Sequence, residues 1–88
     1  MLEKNLELKC CRYAKDKNYL VYKFLSPQNT GVPDRIFLKK GDIFFVEFKS
    51  KSGKLSKLQE YQIKRIREHA NAYVINDFED FKRLIDDN

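Results

Sequence analysis

Three side chains in this 88-residue sequence could do chemistry together: Asp34, Glu47 and Lys49. Glu47 and Lys49 lie in the apolar run FFVEFK, on one face of a strand read over Asp42 to Lys49. Side chains alternate along a strand, so Phe45, Glu47 and Lys49 share one face while Phe44, Val46 and Phe48 form a wholly apolar core face. A charge on a half-buried strand costs several kcal/mol unless something compensates it. The residues 35–38 read as a partner strand joined through Lys-Lys-Gly-Asp as a β-hairpin with Gly41 in its turn. With a tight Lys40–Gly41 turn, Asp34 falls opposite or diagonal to Glu47 and Lys49. Two carboxylates and an ammonium would then converge at one end of the sheet. Such oxygen ligands suit Mg²⁺ or Mn²⁺, bound through one or two carboxylates, waters and phosphate oxygens. A lysine beside that metal can position the attacking water and offset charge on the phosphate. The pattern is what metal-assisted phosphodiester hydrolysis needs.

The elements that would hold these residues follow from periodicity. Leu2, Leu6, Cys10, Tyr13 and Ala14 recur at helical spacing, giving an amphipathic helix over residues 2–17. Tyr19 to Leu25 is rich in β-branched and aromatic residues and reads as a strand, and SPQNTGVP as a turn-rich loop. After the hairpin and the SKSGK loop, Ser56 starts a helix from about 57 to 69, with Leu58, Gln62, Ile66 and Ala70 along one stripe. Ala72 to Ile75 is a short strand. Asp77 caps a last helix whose Phe78, Phe81, Leu84 and Ile85 make an apolar face. The order is α-β-β-β-α-β-α, a single α/β domain over residues 1–88, with a short mixed sheet flanked by two helices.

Composition sets the outer limits. A chain with 42% hydrophobic and 14% aromatic residues is globular, and its size allows one modest core. The net charge of +5 leaves a polyanionic partner open without requiring one. Adjacent Cys10 and Cys11 diverge on a helix, which rules out an ordinary disulfide and, with His69 as the only further soft ligand, a zinc site. Cys10 reads as core and Cys11 as an incidental thiol, in an intracellular, cytoplasmic chain. No stretch approaches the roughly 20 apolar residues of a bilayer span, and MLEKNLELK is not a signal peptide. The tyrosines read as core, and His69 as a cation near a helix end.

Pro33-Asp34, then Glu47-Phe48-Lys49, resembles the PD-(D/E)xK nucleases in order and spacing. Gly31-Val32-Pro33-Asp34-Arg35, Phe45-Val46-Glu47-Phe48-Lys49 and Leu55-Ser56-Lys57-Leu58-Gln59 are similar, more narrowly, to the VRR-NUC (virus-type replication-repair nuclease) domain. The similarity runs from Glu3 to about Phe81. It implies an α-β-β-β-α-β core, Asp34 and Glu47 as metal ligands, the Phe48 backbone carbonyl as a further one, and Lys49 as the catalytic lysine. It also implies a metal-side glutamate on the first helix, where Glu3 and Glu7 are both candidates. Glu3 lies about 50° from the centre of the apolar stripe and Glu7 about 90°, which favours Glu3. Gln59 has two readings: a site residue by resemblance, or the far end of a capping box begun at Ser56. Arg35, Lys51, Lys54 and Lys57 are the candidate DNA contacts, with Lys23, Lys64 and Arg65 behind them.

Each residue also has a plainer reading. Asp34 could be a turn residue, and Glu47 and Lys49 a surface ion pair. The resemblance implies a Mg²⁺-dependent structure-specific DNA endonuclease, with Mn²⁺ as substitute. It implies a homodimer cutting branched DNA such as four-way (Holliday) junctions, of phage or bacterial origin, with the first helix or the strand Tyr19 to Leu25 in the dimer contact. A flap- or end-directed nuclease and a catalytically silent DNA-binding module are the alternatives.

Overall fold

The computed structural model describes residues 2–87. Helix α1 (Glu3–Asp16) leads into strand β1 (Leu20–Lys23), the hairpin β2 (Arg35–Lys39) and β3 (Asp42–Phe48), helix α2 (Lys57–Arg67), strand β4 (Asn71–Ile75) and helix α3 (Phe78–Asp86). The strands line up as β1-β2-β3-β4. The first two pairings are antiparallel, and β4 lies parallel to β3 with α2 as the crossover.

The hairpin turn is Lys40–Gly41, both with positive φ (47° and 95°), and Lys39 pairs with Asp42. Positive φ at both central residues defines the two-residue turn whose twist matches that of paired strands. It fixes the register on which the site depends.

The core lies on one face of the sheet. Phe37, Phe44, Val46, Phe48 and Ile75 meet Leu6, Cys10, Cys11 and Ala14 of α1 and Phe81 and Ile85 of α3. Phe37 stacks on Phe44 with ring centroids 5.1 Å apart, and Phe81 packs against Phe37 and Phe48. The sheet is therefore flanked by three helices rather than two: α1 and α3 share this face, and α2 takes the other, beside β4.

Several local expectations shift. Cys11 is buried in the core rather than incidental, whereas Leu2 is exposed. The buried residue of α2 is Ile63, with Gln59, Gln62 and Ile66 half-buried beside it, and Leu58 points to solvent. A stripe drawn every fourth residue drifts round a helix of 3.6 residues per turn. Tyr19 is core, but Tyr22 and Tyr61 are exposed. Strand β1 is shorter than Tyr19 to Leu25, though the Phe24 amide still donates to the Asp34 carbonyl (2.9 Å).

Candidate active site

Arg35 pairs with Val46, so one step further along the ladder Asp34 falls opposite Glu47. The Asp34 carboxylate is held there, its Oδ2 accepting from the Phe48 amide at 2.8 Å. Burial pushes its carboxyl group above the usual value; the Phe48 hydrogen bond opposes the rise, and the charges of Glu7 and Glu3 add to it.

Glu47 is only 2% exposed, the one buried charged residue in the described core. Its Oε2 lies 3.8 Å from Lys49 Nζ and accepts from Gln59 Nε2 at 3.2 Å. Its Oε1 is buried with no hydrogen-bond partner. Burial and then the Asp34 charge push the Glu47 carboxyl from 4.5 up to about 7, against the pull of Lys49. A buried carboxylate with one oxygen unsatisfied and a second carboxylate beside it carries a large cost. A cation between the two acids would remove it, and oxygen donors are the right chemistry for Mg²⁺ or Mn²⁺. The residues present therefore fit such a metal.

Gln59 takes both roles that its spacing allowed. Its amide donates to Ser56 Oγ and its Oε1 accepts from the Ser56 amide, completing a capping box. Its Nε2 remains for Glu47. Gly31 permits this arrangement, because a Cβ there would lie 2.7 Å from the Leu58 carbonyl carbon and oxygen. Sequence reasoning quoted Gly31 but gave it no task; its partner is 27 positions away, beyond any local signal.

Helix α1 contributes differently from expectation. Glu7 is half-buried and pairs with Arg35, Oε2 to Nε 2.6 Å, whereas Glu3 is exposed. The inward tilt favouring Glu3 is thus reversed, because Glu7 leans on the sheet through Arg35. Among the described residues, no group of three or more His, Cys, Asp or Glu side chains is gathered to hold a metal. Arg35, a candidate DNA contact, spends its charge on Glu7. Lys51 reaches Asp77 at 3.5 Å, on the cap of α3. Lys54 and Lys57 are exposed. Cys10 and Cys11 are free thiols, and burial pushes the Cys10 thiol up to about 12.

A hairpin delivering two acids and a lysine to the end of a mixed sheet, with a crossover helix supplying a glutamine, defines a PD-(D/E)xK nuclease fold. No family model matches the sequence, and no curated protein does. Among solved structures, one described as a VRR_NUC domain superposes with a TM-score of 0.87 and 27% identity, covering 98% of this chain and 96% of that one. This likeness supports a VRR-NUC domain, and with it a nuclease. No helix among the described residues is long and apolar enough to cross a membrane.

Proposed function

We propose that the protein is a divalent-metal-dependent endonuclease that nicks branched DNA, including four-way junctions, and works as a homodimer. The observation that carries the metal requirement is Glu47: buried, raised in pKa by Asp34, and left with one unpartnered oxygen. Asp34 and Glu47, with the Phe48 carbonyl, would hold the ion, and whichever of Glu3 and Glu7 is drawn in would add a further acid. Bound Mg²⁺ would supply Lewis-acid polarisation of the phosphate and stabilise developing charge on oxygen.

The chain's own residues do the rest. Lys49 Nζ, beside Glu47 Oε2, is placed to hydrogen-bond the attacking water and offset charge on the non-bridging phosphate oxygens. Water adds to phosphorus in line as one ester P–O bond breaks. Gln59 holds Glu47 in position through its amide. Exposed Lys54 and Lys57, and Lys51 and Arg35 where they exchange their present partners for phosphate, would hold the backbone. A domain of this size has little surface for reading bases, so shape and phosphate contacts dominate.

The test is cleavage of labelled four-way junction, flap and linear duplex DNA with Mg²⁺, Mn²⁺ or EDTA. Nicking of the junction is expected, abolished by EDTA and lowered by at least about 100-fold in Lys49→Ala with unchanged circular dichroism, the scale on which removing one electrostatic catalytic group acts. Equal activity in EDTA would refute the metal reading. Attack only at ends or flaps would replace the junction substrate, and binding without cleavage under every condition would leave a silent DNA-binding module.

A further inference from the structure

Helix α1 shows solvent a row of cations that the acid site does not use. Lys4, Arg12 and Lys15 are exposed, and their spacing puts them on one side of a helix of 3.6 residues per turn. Among the described residues none of the three makes an ion pair, whereas Arg35, Lys49, Lys51 and Arg83 each have a carboxylate partner. An open groove of about 640 Å³ lies here, lined by Lys9, Arg12, Lys15 and Arg35, with Asp16 as the one acid in its lining. Lys23 pairs with Arg35 across β1 and β2, and so stands on the same side of the sheet.

We propose that this groove holds a second arm of branched DNA, an inference that rests on the four-way-junction reading in the proposed function and places the further arm. Two copies sharing four arms leave two for each copy, so one run of phosphate contacts at Lys54 and Lys57 does not suffice. The two sets of cations leave the acid end on opposite faces of the sheet: Lys57 opens α2 on one face, and α1 lies on the other. The first turns of α1 adjoin the acids, because the charges of Glu7 and Glu3 act on Asp34 and Glu7 holds Arg35, the residue after it. From Lys4 to Lys15 the helix then carries its cations roughly 16 Å along its axis, at 1.5 Å per residue. Arms that diverge from a branch can follow both sets. A linear duplex lying along one leaves the other empty.

The groove suits a phosphate backbone better than a protein segment. Protein interfaces are anchored by a cluster of apolar and aromatic side chains. Here the exposed apolar side chain is Leu8 alone, since Cys11 is buried, and single exposed apolar residues are ordinary on any surface. Arg12 and Lys15 have no carboxylate to give up when they take phosphate, and each contact releases counterions from the duplex. Contacts of this kind position DNA without reading its bases, so they select for the shape of the substrate.

The test is binding of the full chain, in EDTA, to a labelled four-way junction and to a linear duplex carrying the sequence of two of its arms, over a salt series. The wild type should bind the junction more tightly and with the steeper salt dependence. The double variant Arg12→Gln, Lys15→Gln should reduce the slope by about 2 on the junction, at roughly 0.9 per phosphate contact, and leave the linear slope unchanged. Both positions are exposed on α1, so circular dichroism and melting temperature should match the wild type. Asp16→Asn, which removes the groove's one acid, should tighten junction binding. An equal loss of slope on both substrates overturns the second arm and makes α1 part of one path that any duplex uses. No loss on either overturns the groove as a DNA site. A wild type that binds junction and linear duplex alike overturns the branched-DNA reading itself, a result read on the unaltered chain and so distinct from the other two.

Discussion

Glu47 concentrates the cost of the site in one side chain, and that cost has a pH signature. Its folded-state pKa of about 7 lies above the ordinary 4.5, through burial first and Asp34 second. A carboxyl group raised in this way favours the folded state most when protonated. The contribution is fully present below about pH 4.5 and is lost as pH rises through about 7. Asp34 is shifted in the same direction. In EDTA, the protein should gain thermal stability on acidification from pH 8 to pH 5, and Glu47→Gln should flatten that rise. A melting temperature that falls over this range would show that the buried carboxylate is already stabilised as an anion without a cation. At this scale the sequence was informative wherever spacing alone decided: a carboxylate inside FFVEF announces a problem. It did not announce the solution, because Gln59 reaches Glu47 across an element boundary and Arg35 reaches Glu7 across two.

Elements position those residues through a few close approaches, of which Gly31 is the sharpest. Its φ of +96° and the 2.7 Å distance from a Cβ to the Leu58 carbonyl atoms exclude any side chain. Gly31→Ala should lose about 1–3 kcal/mol from the backbone conformation alone, read by urea unfolding. It should also lower cleavage at temperatures where the variant remains folded, because the first turn of α2 must retreat and carry Gln59 from Glu47. Full activity in a stable Gly31→Ala variant would show that α2 has freedom to shift without consequence. The elements most legible in the sequence are those whose signals are local: the Lys40–Gly41 turn, the Ser56 and Asp77 caps, and the Phe78, Phe81, Leu84, Ile85 face of α3. The stripe of α2 was misplaced because only Ile63 is fully buried there. A helix covering one strand of a four-stranded sheet carries too little apolar pattern to fix its own rotation.

For the whole molecule, the net charge of +5 matters through where the cations stand. Arg35 is paired with Glu7, and Lys51 with Asp77, while Lys54 and Lys57 extend from the loop and first turn beside the site. Each cation that neutralises a phosphate releases counterions, and the logarithm of the binding constant then falls with that of salt by about 0.9 per contact on B-form DNA. In EDTA, which permits binding without cleavage, Lys54→Gln and Lys57→Gln should each weaken junction binding and reduce the slope by about 1. Melting temperatures should stay unchanged, because neither side chain is buried. Lys51→Gln tests a different balance. Its ion pair with Asp77 is exposed and worth little, so phosphate can outcompete it, and a slope loss equal to that of Lys54 would show that the exchange occurs on binding. An unchanged slope in all three variants would move the DNA path off the 51–57 segment. The basic side chains of α1 would then be the next to test, since Lys9, Arg12 and Lys15 line a groove with Arg35.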